Sequence, residues 1–110
     1  MAYVTVEDHI WPEGITEKQK KIINIKGYYK PTIIQGKLCA LFQNYPDEYL
    51  VVGIGTDGTF EREYLFKDNP SACAALDAYT NLNEHPSGPW VKCEGVFNGE
   101  FTEIPNPNTE

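Results

Sequence analysis

An Asp57-Gly58 pair lies between two runs of strand-forming residues, and this arrangement restricts the fold more than any other feature of the chain. Asp-Gly is a preferred pair for the two-residue turn of a β-hairpin, because both central residues of that turn need positive φ. The flanking runs, 49–54 and 59–66, are rich in β-branched and aromatic residues. Placing the pair at the two turn positions predicts that Tyr49 lies opposite Phe66.

This predicted register separates the hairpin side chains into two faces, since successive residues of a strand point to opposite sides. One face combines aromatic residues with glycines: Tyr49, Val51, Gly53 and Gly55 opposite Phe66, Tyr64, Arg62 and Phe60. The other face combines aliphatic and acidic residues: Leu50, Val52 and Ile54 opposite Leu65, Glu63 and Glu61. We expect the aromatic face to be packed and the acidic end of the other face to reach water.

Further strands are predicted on either side of this hairpin. Residues 38–42 form a short apolar run that ends at Asn44-Tyr45-Pro46-Asp47, where proline supplies the φ that a turn needs. Near the C-terminus, Asn98-Gly99 is the preferred type I′ pair, and it lies between strand-like residues 90–96 and 100–104. The pattern therefore indicates a three-stranded meander and a separate C-terminal hairpin.

Two helices are predicted outside these strands. Thr16 followed by Gln19 is a capping box, which marks the start of the first helix. Two interpretations of residues 22–29 stay open, because their spacing suits a helix while their β-branched and aromatic side chains suit a strand. The second helix is predicted over 72–82, with Asn69-Pro70 supplying the N-cap and the first helical residue.

Together these elements predict an α+β fold. The sheet would be antiparallel with about five to six strands, a central three-stranded meander plus the C-terminal hairpin, packed by two helices. Residues 2–7 alternate well enough to add a short edge strand. We expect a single compact domain over residues 1–104, and we expect the proline- and asparagine-rich residues 105–110 to form a loose tail.

The charge of the chain is −7 overall and unevenly distributed. Residues 1–34 carry five lysines against four acidic residues, whereas residues 35–110 carry four basic residues against twelve acidic ones. An acidic surface repels phosphate backbones, so we expect no direct nucleic-acid binding and favour basic protein surfaces as partners. No run approaches the ~20 apolar residues of a membrane span, and residues 1–10 lack a signal-peptide pattern. We therefore expect a cytoplasmic protein without membrane contact.

The cysteines and histidines give no sign of a catalytic or metal site. Cys39, Cys73 and Cys93 lie in apolar runs without a Cys-x-x-Cys spacing, which predicts reduced, structural thiols. His9 and His85 both lie in predicted loops, and neither has a second metal-ligating residue at local spacing. We expect no catalytic residue, no metal and no cofactor.

The C-terminal hairpin predicts the most distinctive local arrangement. With Asn98-Gly99 at its turn, Glu94 lies opposite Glu103, on a face that would also carry Trp90 and Lys92. Carboxylates directly opposite each other are destabilising unless they are compensated, and an aromatic ring beside them attracts a cation. The alternative is an exposed face whose carboxylates point into water and are partly neutralised by the lysine.

The aromatic face of the first hairpin supplies further binding candidates. A curved antiparallel sheet can leave a groove lined by aromatic side chains, which is a common kind of small-molecule site. The candidate ligand-binding residues from both hairpins are Trp90, Glu94, Glu103, Tyr49, Tyr64 and Arg62.

Three functions remain open from the sequence. The leading hypothesis is a small acidic, non-enzymatic binding protein that acts through a protein–protein interface and self-associates as a homo-oligomer, since Tyr and Trp are enriched at interfaces. The alternative is a small-molecule-binding module whose aromatic, acidic-rimmed pocket takes cationic or aromatic ligands. The third is a small enzyme that uses a Cys/His pair or paired glutamates.

Overall fold

The computed structural model describes residues 11–97 and 99–105. Within these ranges the chain forms two helices and six strands, in the order α1 (Glu17–Lys26), β1 (Tyr29–Ile34), β2 (Lys37–Asn44), β3 (Asp47–Val52), β4 (Arg62–Phe66), α2 (Asn69–Ala78), β5 (Trp90–Phe97) and β6 (Glu100–Pro105). The strands make one antiparallel sheet in which each strand pairs with the next one along the chain. The predicted α+β fold is confirmed. The predicted strand over residues 2–7 lies outside the described residues. Of the predicted tail 105–110, Pro105 is the last residue of β6 and the others lie outside the described residues.

The first helix begins and ends where its local chemistry requires. The capping box is present, since the Thr16 hydroxyl accepts from the Gln19 amide at 3.1 Å and the Gln19 side chain accepts from the Thr16 amide at 2.9 Å. Gly27 then ends the helix in the left-handed conformation, with φ of 77°. Residues 22–29 are therefore divided: the helix continues to Lys26, and the strand β1 begins at Tyr29.

The second helix differs from its prediction at both ends. Its N-cap is Asp68 and not Asn69, because the Asp68 carboxylate accepts from the Ser71 amide at 2.8 Å. The helix ends at Ala78, and Tyr79 is already extended. Tyr79 and Leu82 nevertheless pack in the core, from the segment that follows the helix.

The predicted register of the β3–β4 hairpin is wrong by one residue. Tyr49 pairs with Leu65, and Phe66 pairs with Glu48. The cause lies in the connecting loop, where the Gly55 amide donates to the Thr59 carbonyl at 2.8 Å and the Gly58 amide donates to the Gly55 carbonyl at 3.1 Å. The loop thus has three residues, a turn followed by Gly58 at φ of 91°, and not the two residues that we expected.

The shift of one residue puts each β4 side chain on the opposite side of the sheet from the β3 side chains that we expected beside it. This follows because successive side chains of a strand point to opposite sides. Tyr64 and Arg62 now lie on one side of the sheet with Leu50 and Val52, while Tyr49 lies on the other. The predicted aromatic face, with Tyr49, Tyr64 and Arg62 together, does not form.

The two helices cover opposite sides of the sheet. We call the sides the α2 face and the α1 face. The α2 face joins helix residues to buried residues of β2 to β5: Ala72, Ala75, Leu76, Cys39, Leu41, Leu50, Val52, Tyr64, Phe66, Trp90 and Cys93. The α1 face joins Ile23 of the helix to Tyr28 and to buried residues of β2, β3 and the following loop: Leu38, Ala40, Val51 and Ile54. Helix α1 therefore covers the first half of the sheet, and its cluster contains no residue of β4, β5 or β6 among those described.

Candidate functional site

Three glutamates form a row across β4, β5 and β6 on the α1 face. The predicted pairing of Glu94 with Glu103 is confirmed, and Glu94 also pairs with Glu63 of β4. We call Glu63, Glu94 and Glu103 the acidic row. Like charges on neighbouring strands repel each other, and only one cation is bonded to the row among the described residues: Lys92, whose Nζ lies 2.8 Å from Glu94 Oε1.

The repulsion within the row affects the pKa of Glu63, the member of the row on β4. Burial raises the pKa of Glu63, the charge of Glu94 raises it further, and the ammonium group of Lys92 opposes both effects. A raised carboxyl pKa means that the charged form is penalised in the folded protein. The row thus holds negative charge at a cost in stability that a nearby cation would reduce.

Apolar side chains continue this surface toward the hairpin turn. Val96 pairs with Phe101 on the same face as the row, and their side chains are 43% and 74% exposed. At the other end, Tyr49 pairs with Leu65, and burial followed by the charge of Glu63 raises the pKa of the Tyr49 hydroxyl. The row is therefore flanked by exposed apolar groups on the half of the α1 face that helix α1 does not cover, and on its other side by Tyr49, which packs against the cluster under helix α1.

Trp90 does not lie beside the acidic row, contrary to the prediction. Leu65 pairs with Lys92 but Phe66 pairs with Trp90, so Val91 is an extra residue and forms a β-bulge. The bulge moves Trp90 to the α2 face, where it is 2% exposed and its indole nitrogen donates to the Pro86 carbonyl at 2.9 Å.

Arg62, the one arginine of the chain, is buried on the α2 face with 4% exposure. Its Nε donates to the Tyr64 hydroxyl at 3.0 Å, and its Nη2 donates to the Tyr79 hydroxyl at 2.6 Å and to the Leu82 carbonyl at 2.7 Å. The ring of Phe97 lies 4.7 Å from the guanidinium carbon. Burial acts to lower the pKa of Arg62, but the tyrosine interactions leave it above its ordinary value. The side chain is therefore a fixed, buried cation.

His85 continues the hydrogen-bond chain that starts at Arg62. Its Nδ1 lies 2.7 Å from the Tyr64 hydroxyl, and its ring stacks on Phe97 with centroids 4.3 Å apart. Burial, and then the charge of Arg62, lower the pKa of His85, while burial raises the pKa of the Tyr64 hydroxyl. A neutral histidine can accept from Tyr64, which leaves the tyrosine oxygen free to accept from Arg62.

A cavity of about 280 Å³ opens beside Arg62 at one end of the sheet. Its walls come from the β1–β2 turn, the start of β4, the segment after α2 and the C-terminal hairpin: Gln35, Lys37, Glu61, Arg62, Leu82, Asn83, Val96 and Gly99. Lys37 and Glu61 pair with each other, Nζ to Oε2, at 2.6 Å. The wall thus contains two cationic side chains and one carboxylate.

A second buried ionisable group lies at the far end of β3. Glu48 is 1% exposed, and its Oε1 accepts from the Tyr29 hydroxyl and from the Asn69 amide. Its Oε2 has no hydrogen-bond partner among the described residues. Glu48 was not singled out from the sequence, although it alternates with Leu50 and Val52 and is therefore expected on the same face.

The sequence left a Cys/His nucleophile open, and the structure describes all three cysteines but only one of the two histidines. Cys39 and Cys93 are buried, and burial raises the pKa of the Cys39 thiol to about 11, so its nucleophilic thiolate form is scarce. The other histidine, His9, lies outside the described residues. Within residues 11–97 and 99–105, no group of three His, Cys, Asp or Glu side chains is placed so that it could hold a metal ion. This holds for the three glutamates of the acidic row as well.

Comparison of the chain with protein-family models, curated proteins and solved structures gave no match. Helices α1 and α2 are each too short to cross a membrane, and no other helix occurs in the part of the chain that the structure describes.

The six candidate residues are thus divided between two places. Glu94, Glu103 and Tyr49 lie on the α1 face, at or beside the acidic row. Tyr64, Arg62 and Trp90 lie on the α2 face. Glu63 was not predicted as a member of the row, because its position depends on the pairing of β4 with β5. His85 and Tyr79 were not predicted near Arg62, because their positions depend on the conformation of the segment after α2.

Proposed function

We propose that this protein is a non-enzymatic interaction module that binds a basic protein surface through the acidic row and the apolar residues next to it. The observation that carries the proposal is the row itself: three neighbouring carboxylates with one bonded lysine, on a half of the sheet that helix α1 leaves open. Lysine or arginine side chains of a partner would relieve the repulsion within the row.

The exposed apolar pair adds a second component to such an interface. Phe101 and Val96 lie side by side next to Glu94 and Glu103, and a well-exposed aromatic ring is a typical anchor residue. Charge steers the encounter and selects the partner, while burial of the ring contributes affinity. A basic partner segment with an apolar side chain at its centre would satisfy both components.

An arginine-rich peptide with one central leucine is a suitable probe. We expect it to shift the amide resonances of Glu63, Glu94, Val96 and Phe101 in a saturable way, with an affinity that falls as sodium chloride is added. The double variant E94Q/E103Q should lose this binding. The control E13Q/E17Q removes the same charge from exposed positions around the start of α1 and should bind as the unchanged protein does.

Two results would count against this function. One is equal weakening by both double variants, which would mean that only the net charge matters. The other is a set of shifts spread evenly over the sheet and helices, without concentration on β4 to β6.

Self-association is a second candidate function, favoured by the position of β6. This strand pairs with β5 on one side, and no described strand pairs with its other side. Unpaired strand edges can pair with a second copy. Sedimentation equilibrium over a hundredfold range of protein concentration tests this, because an edge-paired dimer predicts twice the chain mass at the upper end and a constant single-chain mass would reject it.

A further inference from the structure

The cavity at the end of the sheet has the chemistry of an anion site, although the chain as a whole is acidic. Among its wall residues, Lys37 is paired with Glu61. Arg62 has no carboxylate within ion-pair distance among the described residues. The pair cancels, so the wall carries one uncompensated positive charge.

A buried cation without a counter-ion is costly, because removal from water is repaid only by compensating interactions. For Arg62 the compensation comes from two tyrosine hydroxyls, one carbonyl and the ring of Phe97, none of which carries a negative charge. These groups hold the guanidinium in place but leave its charge unneutralised. An anion in the adjoining cavity would complete the arrangement.

The N–H groups on Nη1 of Arg62 are the donors that such an anion would meet. A guanidinium has five N–H groups. One on Nε and two on Nη2 are used, by Tyr64, Tyr79 and Leu82. The described residues supply no acceptor to Nη1, and Nη1 is not among the buried atoms that lack a partner. Its two N–H groups therefore make no hydrogen bond to a described residue, and they belong to a side chain that lines the cavity.

The positions of the bonded groups also make the donor rigid. The Tyr64 hydroxyl lies 2.7 Å from His85 Nδ1, and the Tyr79 hydroxyl donates to the Glu84 carbonyl at 2.7 Å. Each hydroxyl that binds Arg62 is therefore positioned by a second hydrogen bond. Gln35 is fixed in the same way, since its side-chain oxygen accepts from the Leu82 amide at 2.7 Å. A preorganised donor loses little entropy on binding, which favours affinity for a small ligand.

We propose that this cavity binds a small oxyanion, such as phosphate, sulfate or a short carboxylate, through Nη1 of Arg62 with Lys37 at the rim. Guanidinium N–H groups and oxyanions form charge-assisted hydrogen bonds, which are about twice as strong as neutral ones. A volume of about 280 Å³ suits an ion of this size with a few waters or a short carbon chain against Leu82 and Val96. The ligand class is opposite in charge to the cationic ligands that the sequence favoured.

The single arginine makes the test direct, because the protein gives one arginine Nε–H resonance in a nitrogen–proton spectrum. Phosphate, sulfate and succinate are titrated separately against sodium chloride at matched ionic strength. At least one oxyanion should shift this resonance in a saturable way, together with the amides of Leu82 and Gly99. The anion that saturates at the lowest concentration identifies the preferred class.

Variants separate a built site from a general effect of charge. R62K keeps the charge but loses the two-donor nitrogen, and should weaken binding about tenfold or more. K37Q removes the rim lysine without touching the buried network and should weaken binding severalfold. K18Q, at an exposed position in α1, makes the same charge change and should have no effect.

The proposal is overturned if no oxyanion moves the arginine resonance beyond the chloride control, or if the shifts never saturate. It is also overturned if K18Q weakens binding as much as K37Q does. Because the site lies at the end of the α2 face, E94Q/E103Q should bind the oxyanion normally, so this proposal and the proposed function can fail separately.

Discussion

At the scale of single residues, Arg62, Tyr64 and His85 form one hydrogen-bond chain that depends on the neutral form of the histidine. A protonated His85 would have to donate from Nδ1 to the Tyr64 oxygen. The Tyr64 hydroxyl could then no longer donate to His85, and the imidazolium would lie near the guanidinium of Arg62. Burial lowers the pKa of His85, and the charge of Arg62 lowers it further. One residue of the chain thus makes the network sensitive to acid.

The pH dependence of stability follows from the direction of this shift. The pKa of His85 is lower in the folded protein than its ordinary value of 6.5, so between these two values the unfolded chain binds more protons. The contribution of His85 to stability is therefore present above pH 6.5 and is lost as the pH falls toward the folded pKa. Urea unfolding from pH 7.5 downward should show this loss, and H85Q should have a flatter profile. An unchanged slope in H85Q would contradict the assignment.

At the level of the elements, the two helices and the strands β2 to β6 were predicted because turns and caps have strong local signals, whereas the strand β1 was not predicted. The capping box of Thr16 with Gln19 and the register of β5 with β6 were both predicted correctly, since each depends on a signal within a few residues. Register was harder, because Asp57-Gly58 is compatible with a two-residue and a three-residue loop. The difference of one residue decides which face Tyr49 and Tyr64 occupy.

The position of Trp90 was also predicted wrongly, because a β-bulge changes the side of the sheet on which it lies. Alternation counted back from Glu94 puts Trp90 on the acidic face, and nothing in the local sequence marks Val91 as a bulge. The bulge is favoured by the burial of a large ring and by its bond to Pro86, which are tertiary effects. Glu63 was missed for the related reason that the pairing of β4 with β5 crosses the whole α2 segment.

The repulsion within the acidic row predicts that one charge can be removed with a gain in stability. E63Q keeps the shape of the side chain and eliminates the like charge next to Glu94, so the free energy of unfolding at pH 7 should rise by a few tenths to about 1 kcal/mol. Because the raised pKa of Glu63 makes its contribution decline as pH rises above its ordinary value of 4.5, E63Q should also reduce that decline. E13Q serves as the control, and a loss of stability in E63Q would contradict this account of the row.

The close contact of β4 and β5 predicts a large difference between two glycines of the same hairpin. Gly95 has φ of 119°, and a Cβ there would lie 2.3 Å from the Glu61 carbonyl oxygen and 2.4 Å from the Arg62 Cα. Gly99 has φ of 85° but nothing within 4 Å. G99A should cost about 1 kcal/mol from backbone strain, whereas G95A should cost about 2 to 4 kcal/mol because backbone atoms must also move. Similar costs for both variants, measured by urea unfolding, would show that the strands are not packed this closely.

At the level of the whole molecule, the two candidate sites lie on opposite sides of one sheet and have opposite charge. The α1 face carries the acidic row on its open half, and the end of the α2 face carries a buried cation beside a cavity. The net charge of −7 indicates only the first of these. The fold class and the pairing of Glu94 with Glu103 were predictable from local signals. The place of Glu63 in the row and the surroundings of Arg62 were not, since they depend on pairing and packing between distant parts of the chain.

We propose that the acidic row, and not the net charge, selects a basic protein partner. The most direct measurement is affinity capture from cell extract at a series of salt concentrations, quantified by mass spectrometry for the unchanged protein, E94Q/E103Q and the control E13Q/E17Q. We expect a small set of basic proteins that the unchanged protein and the control retain at low salt and that E94Q/E103Q loses. Equal capture by all three proteins, or no specific capture even at low salt, would contradict it.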